Sequence, residues 1–257
     1  MKTTFIRAAT AAAVFALAAS PASADLAAAT KAYGKLLSQY VTPRGVKYDA
    51  WRASGSDLKT ISEIVMIYRS TDPKPLEPNE RKALYINLYN ARILETVLFQ
   101  NPKGSIRELS KGLNSSEIFN RATMKFDEKA TSLNALEKRL REEFKDPRVH
   151  FALNCASRSC PPIRPEPYVA ATLDAQLDDS ARKYLASPEA VEVKTDGGKT
   201  TIVSVKIFDW YADDFKASGG PLAFIQKFGP PVAADAIAGG KAKLAFGDYD
   251  WSLNSAK

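Results

Sequence analysis

The chain contains one histidine and two cysteines, and all three lie in the stretch "VHFALNCASRSCPP" at 149–162. Two cysteines are too few for the disulfide frameworks that hold small secreted proteins together. One histidine and two cysteines supply three ligands, so a tetrahedral zinc site would need an added carboxylate. We therefore predict no bound metal and no cofactor, with a zinc site completed in this way as an alternative.

Blocks of like charge are also absent. The formal net charge is +7, but the basic residues are interspersed with acids and form no arginine-rich arm. This distribution argues against a nucleic-acid partner and supports no more than a weak attraction to anionic surfaces. The chain also lacks internal repeats and long low-complexity linkers, which excludes repeat arrays.

Only the first residues form a long apolar run. Lys2 and Arg7 precede an apolar stretch at 8–19, and small residues follow it up to Ala24. This arrangement is typical of a secretory signal peptide cleaved between Ala24 and Asp25. The run is shorter than the roughly 20 residues that a membrane span needs. We therefore expect a periplasmic or secreted protein without a membrane span.

The remainder is long enough to bury one sizeable core. We predict a signal peptide at 1–24 and a single domain at 25–257, which carries a charge of +5 once Lys2 and Arg7 are removed. Apolar residues at helical spacing predominate, and the clearest strand signal is a hairpin near 191–205. Helices that outnumber strands, with the strands late in the chain, predict an α+β fold that is mostly helical with a small antiparallel sheet. We expect a monomer that binds an unidentified small molecule or peptide.

Six separate stretches resemble one bacterial family. They are "LYINLYNARIL" (84–94), "SLNALEKRLR" (132–141), "DPRVHFALNCASRSCPPIRPEPY" (146–168), "LDDSARKYL" (177–185), "IFDWYADDF" (207–215) and "DYDWSLN" (248–254). In type and order they resemble the domain of unknown function 547 family. This resemblance implies a single domain with shared positions, but it brings no accepted activity. Members commonly carry Glu-His where this chain has Glu137-Lys138, so any role of that histidine is absent.

The stretch with both cysteines leaves several kinds of site open. As a regular strand over 149–155, it would place His150 and Cys155 on opposite faces, about 16 Å apart. A thiol–imidazole pair would then require a bend near Asn154. A four-residue reversal would bring Cys155 and Cys160 within disulfide distance. Export and spacing favour a structural disulfide, while the alternatives are a reactive thiol with His150 as base, a redox-active pair and a metal site.

Polar side chains in apolar settings predict a pocket around His150. Asn87 and Asn90 lie three residues apart in a predicted helix, and buried asparagines must be hydrogen-bonded, either in a structural network or in a pocket wall. On a regular strand, Asn154 shares a face with His150. Arg158 lies in a loop whose prolines would hold an arginine in place for anion binding. We predict these three asparagines and Arg158 as ligand-binding residues.

Glu137 lies at the edge of the buried face of a helix that begins at Ser132. It is either a surface ion-pair partner or a carboxylate that orients His150. In an enzyme, Cys155 or Cys160 would attack a carbonyl carbon, and His150, oriented by Glu137 or an asparagine, would take the proton. The sequence thus predicts a thiol-dependent hydrolase or acyl transferase. The alternative is a non-catalytic ligand-binding or envelope-structural module with a permanent disulfide.

Two acids near the C-terminal end also carry possible chemistry. Asp213 and Asp214 lie among aromatic residues, which raises the possibility of a paired-carboxylate glycosidase. Adjacent residues on one helix point in different directions, so we predict no such pair. Further on, Tyr249, Trp251 and Leu253 are predicted to pack into the core.

Overall fold

The computed structural model describes residues 21–111 and 114–256, so residues 1–20 of the predicted signal peptide lie outside the described residues. The α-helices are α1 (Pro21–Tyr40), α2 (Tyr48–Arg52), α3 (Gly55–Ser70), α4 (Pro78–Gln100), α5 (Glu117–Asn120), α6 (Leu133–Phe144), α7 (Leu173–Leu185), α8 (Ile207–Trp210), α9 (Gly220–Phe228) and α10 (Pro231–Ala238). The strands are β1 (Val41–Thr42), β2 (Gly45–Val46), β3 (Met124–Phe126), β4 (Lys129–Thr131), β5 (Val191–Asp196), β6 (Lys199–Ser204) and β7 (Ala242–Phe246). Short 3₁₀ helices occupy Ile106–Leu109, Pro147–Phe151, Ala170–Thr172 and Ala212–Ser218.

This single domain confirms the predicted α+β class. Within the described parts of the chain, no helix combines the length and the apolar character that crossing a membrane requires.

Helix α4 runs through the centre of the domain. Glu77 and Glu80 form a capping box at its start, Pro78 occupies its first turn, and Asn101 ends it in the left-handed conformation. Buried residues lie on nearly all sides of α4, so its polar side chains must find partners inside the protein.

The largest sheet has the order β5-β6-β7. Strands β5 and β6 form the predicted hairpin, whereas β7 pairs with β6 in parallel, so the sheet is mixed and not purely antiparallel. The turn consists of Gly197 and Gly198, with φ of 52° and 76°, because Asp196 pairs with Lys199.

The buried apolar residues form two clusters. The larger cluster lies among α1–α6 and the first turns of α7, and the smaller one lies between the rest of α7, α9 and the β5-β6-β7 sheet. The 3₁₀ helix Pro147–Phe151 lies at their junction, since Val149 belongs to the larger cluster and Phe151 to the smaller. His150, between these two residues, is therefore fixed at the boundary of the two cores.

The segment "VHFALNC" is not a strand, contrary to the prediction. Asp146 caps a 3₁₀ helix by accepting a hydrogen bond from the Arg148 amide, and Pro147 takes the first position. An acidic cap followed by proline is a helix-start signal, and it prevails over the short apolar run. Without an extended strand, His150 and Cys155 no longer lie on opposite faces.

Candidate functional site

A cavity of about 230 Å³ opens beside the 3₁₀ helix Pro147–Phe151, where the two cores meet. Six aromatic residues line it: Tyr89, Phe119, Trp210, Tyr211, Tyr249 and Trp251. Its polar lining includes Ser116, Asn134, Glu137 and His150, and both cysteines contribute to the wall. Of the three side chains predicted to complete the core, Leu253 is buried, whereas Tyr249 and Trp251 remain half-buried at this cavity.

The imidazole of His150 is anchored by a carboxylate from a distant segment. Its Nε2 lies 2.7 Å from Oδ2 of Asp214, which also accepts a 2.5 Å hydrogen bond from Nε of Arg141. The hydrogen bond from His150 makes the largest contribution, and together with that from Arg141 it holds the pKa of Asp214 well below its usual range. An ionised carboxylate only accepts hydrogen bonds, so Nε2 carries a proton, and in the neutral ring Nδ1 holds the lone pair.

The residue that orients His150 is therefore Asp214, and not Glu137 or an asparagine as expected. Tyr211 and Phe215 further fix the imidazole, with ring centroids 4.2 Å and 5.6 Å from it. In the sequence, Asp214 stands out only beside its neighbour Asp213, because no local pattern connects it to a histidine that lies 64 residues earlier.

Cys155 and Cys160 form a disulfide with a Cα–Cα distance of 6.0 Å, as predicted. The backbone amide of Cys155 donates a 2.9 Å hydrogen bond to Sγ of Cys160. Sγ of Cys155 lies 3.1 Å from the Ser157 hydroxyl and 3.2 Å from the Tyr249 hydroxyl. In this form neither sulfur is a nucleophile, because nucleophilic attack requires a thiolate.

Glu137 lies in the cavity wall without an ionic partner among the described residues. It is half-buried and accepts a hydrogen bond from the Tyr211 hydroxyl, and the charge of the nearby Arg141, which forms its ion pair with Asp214, also acts on it. Burial, followed by the charge of Glu137, raises the pKa of Tyr89 and Tyr211. Burial also raises the pKa of Tyr249 to about 12, with a smaller contribution from Glu137. The carboxylate is thus surrounded by neutral phenols.

Asn87 and Asn90 bind backbone groups and do not line this cavity. Asn87 donates to the Tyr168 carbonyl at 2.7 Å and accepts from the Tyr168 amide at 2.9 Å. Asn90 donates to the Ala152 carbonyl at 2.8 Å and accepts from the Asn154 amide at 2.9 Å. Each amide therefore holds one distant segment against α4, which is the structural network weighed from the sequence.

Asn154 and Arg158 also lie away from the His150 cavity. The side chain of Asn154 donates to the Pro161 carbonyl at 2.8 Å and accepts from the Ala156 amide at 2.8 Å. It therefore shapes the loop closed by the disulfide. Arg158 is exposed and borders two other depressions on the surface. The predicted ligand-binding set thus supports or flanks the cavity, whereas His150, Glu137 and the cysteines line it.

Several residues that line the cavity carry weak signals or none in the sequence. Asn134 lies three residues before Glu137 on α6, so helical spacing alone could have placed the two side chains on one face. Trp210 and Tyr211 come from a segment without any local signal for a cavity. Over residues 21–111 and 114–256, no group of three or more His, Cys, Asp or Glu side chains is placed to hold a metal ion.

The fold and site define a small α+β protein with an aromatic-lined cavity beside a carboxylate-anchored histidine. Residues 73–185 match the family described as "Protein of unknown function, DUF547", which confirms the resemblance seen in the sequence. The matched segment contains α4, α6 and the disulfide loop, whereas Asp214 and the aromatic residues near the C-terminus lie outside it. No curated protein and no solved structure matches the chain.

Proposed function

We propose that the protein is an exported ligand-binding protein whose site is the cavity beside His150. The first residues support export, because they have the pattern of a secretory signal peptide. The observation that carries the binding function is the composition of the cavity wall. It combines six aromatic rings with a few polar groups, the usual composition of a small-molecule site.

The state of the reactive groups favours binding over catalysis. Both sulfurs are used in the Cys155–Cys160 disulfide, so no thiolate is present to attack a substrate. An oxidising compartment would preserve this disulfide. The ligand would therefore meet a rigid wall in which the disulfide fixes the loop shape and the histidine is a fixed polar group.

The test of this function counts thiols and detects ligands. We expect the mature protein, denatured without reductant, to contain no group that reacts with a thiol reagent, and to have a mass two hydrogens below that of the reduced chain. Ligands can be detected by tryptophan fluorescence, because Trp210 and Trp251 line the cavity while Trp51 is buried elsewhere. A stoichiometric free thiol in the exported protein, or a compound library in which no member changes the emission, would contradict the proposal.

A second candidate function is thiol-dependent hydrolysis or acyl transfer. The observation that favours it is that His150, anchored by Asp214, shares a cavity with Cys155. A dithiol reductant would first convert the disulfide to two thiols and itself become a disulfide. The Cys155 thiolate would then add to an acyl carbon, His150 would protonate the leaving group, and water or another acceptor would release the acyl group.

The alkylation rate of the reduced protein distinguishes the two functions. An activated Cys155 would react with iodoacetamide with an apparent pKa well below the ordinary thiol value of about 8.5, and His150→Gln would restore the ordinary value. Cys160→Ser provides a control in which Cys155 is free without reductant. If Cys155 shows an ordinary apparent pKa both in the reduced wild type and in Cys160→Ser, the thiol-enzyme hypothesis is contradicted and the binding function is left in place.

A further inference from the structure

We propose that the cavity beside His150 binds an organic cation, an ammonium group on a small aliphatic chain, with Glu137 as its counter-ion. This inference rests on the proposed binding function and names the class of ligand. It follows from the charge of the cavity wall, from its aromatic rings and from its size.

The charge of the wall selects a positive ligand. Glu137 is the only acidic side chain among the described residues that line the cavity. The nearby Asp214 is already neutralised by Arg141 and His150, whereas none of the described basic groups pairs with Glu137. Glu137 accepts a hydrogen bond from Tyr211 and interacts with the charge of Arg141, but Arg141 forms its ion pair with Asp214. A half-buried carboxylate without an ion pair of its own is unfavourable, and a bound cation removes that penalty. An anionic ligand would instead be repelled.

The aromatic residues reinforce this selection. The faces of tyrosine and tryptophan rings carry negative potential and attract cations within about 6 Å of the ring centroid. One face each of Trp251 and Tyr211 is already taken by a cation of the protein. The guanidinium carbon of Arg107 lies 4.7 Å from the Trp251 centroid, and that of Arg141 lies 4.5 Å from the Tyr211 centroid. The rings that an ammonium group beside Glu137 would use are therefore those of Tyr89 and Tyr249 in the same wall.

The size of the cavity limits the ligand. Its volume of about 230 Å³ lies below the range of roughly 300–1,000 Å³ that is typical of drug-sized ligands. The cavity therefore suits a head group of a few carbon atoms around one nitrogen.

The experiment compares three probes of nearly equal shape by calorimetry and tryptophan fluorescence at low salt. They are choline, its neutral isostere 3,3-dimethyl-1-butanol and the anion 3,3-dimethylbutanoate. We expect choline to bind on the order of tenfold more tightly than the alcohol, and the anion to bind least. This comparison needs no variant, so it does not depend on the folding of a mutant.

Variants then test the role of Glu137. Glu137→Gln keeps the size of the side chain and removes its charge, so we expect choline affinity to fall on the order of tenfold while affinity for the alcohol stays unchanged. Glu142→Gln is the matched control, because Glu142 lies on the same helix, is exposed and pairs with Lys138. It should leave both affinities unchanged.

The outcomes separate this inference from the proposed function. Equal or tighter binding of the alcohol or the anion, or an unchanged choline affinity in Glu137→Gln, overturns the cation assignment and leaves the binding function standing. Absence of choline binding at millimolar concentration also overturns the assignment. The binding function itself is tested separately, by the thiol count and by the broader library of neutral and charged compounds, and it fails if no compound in that library binds.

Discussion

A single carboxylate, Asp214, joins two distant segments at the residue scale. It accepts hydrogen bonds from Arg141 on α6 and from His150 in the 3₁₀ helix Pro147–Phe151. Because the carboxylate is ionised, both donors contribute charge-assisted or strongly polarised hydrogen bonds. Asp214 fixes the plane of the imidazole and forms the ion pair with Arg141, so that Glu137 is left without an ion pair of its own at the cavity.

We predict that Asp214→Asn destabilises the protein by about 1–3 kcal/mol, because the amide cannot match both donors. The matched control is Asp213→Asn, since Asp213 is exposed and pairs only with the exposed Lys216 on the same turn. That control should change the free energy of unfolding by less than about 0.5 kcal/mol. Urea unfolding at neutral pH measures both, and equal effects of the two variants would contradict the assigned role.

The pH dependence of the same pair provides a second readout. The pKa of Asp214 is lowered in the folded state, so its contribution to stability is present above the unfolded value of about 3.9 and is lost as the pH falls below it. The difference in stability between the wild type and Asp214→Asn should therefore be full near pH 6 and shrink below pH 4. A difference that stays constant down to pH 3 would show that the carboxylate charge is not involved.

The cavity residues that the sequence made predictable are those with a distinctive local setting. His150 and the two cysteines are scarce residue types in one short stretch, and Glu137 lies at the edge of a clear amphipathic face. Asp214 was missed because its partner lies far away in the chain, and no local spacing rule connects the two. The asparagines were recognised as buried polar groups, but local pattern cannot tell a backbone clamp from a pocket wall.

At the scale of elements, helix α4 acts as a double clamp. Its two asparagines, one turn apart, each make a pair of hydrogen bonds to a different segment of backbone. Asn87 holds the segment at Tyr168, and Asn90 holds residues 152–154, immediately before Cys155. Of these two asparagines, only Asn90 therefore connects α4 to the disulfide loop.

We predict that Asn90→Ala and Asn87→Ala each destabilise the fold by about 1–3 kcal/mol, since both leave buried backbone groups unpaired. Only Asn90→Ala should also speed reduction of the Cys155–Cys160 disulfide by a dithiol, because only it frees the backbone next to Cys155. Asn87→Ala is thus the control for general destabilisation. The clamp assignment is wrong if both variants are reduced at the same rate under native conditions.

Helices and strands could be predicted from the sequence where the residues that specify them lie close together in the chain. The β5-β6 hairpin and helix α6 were predictable because turn glycines and the Ser132 cap are encoded within a few residues. The run "VHFALNC" was misread because a short apolar segment fits a strand or a buried helical turn equally well. The parallel pairing of β7 with β6 was missed because it joins segments separated by four helical elements, which local alternation cannot reveal.

At the scale of the whole molecule, the C-terminal segment closes the domain against its N-terminal part. The Val46 amide donates to the Asn254 carbonyl at 2.9 Å, and the Ala256 amide donates to the Val46 carbonyl at 2.9 Å. The Tyr48 hydroxyl donates to Oδ1 of Asn254 at 2.8 Å. Because Trp251 lies three residues before Asn254, the same contacts fix one wall of the cavity.

Gly45 makes this closure possible. Its φ is +120°, and a Cβ there would lie 2.2 Å from the Asn254 carbonyl oxygen. Gly45→Ala should therefore separate strand β2 from the C-terminal segment and cost more than about 2 kcal/mol, from backbone strain together with the lost hydrogen bonds. It should also shift the tryptophan emission towards that of exposed indole, because Trp251 would lose its support. Thermal and urea unfolding measure the first effect, and fluorescence the second.

The control for this substitution is Gly55→Ala. Gly55 begins α3, and a Cβ there would meet nothing within 4 Å, so alanine should be neutral or slightly stabilising. Unfolding of both variants at the same urea concentration would mean that the contact between β2 and the C-terminal segment does not hold the domain closed. A stability loss in Gly45→Ala without any change in emission would mean that the cavity wall is supported independently of this closure.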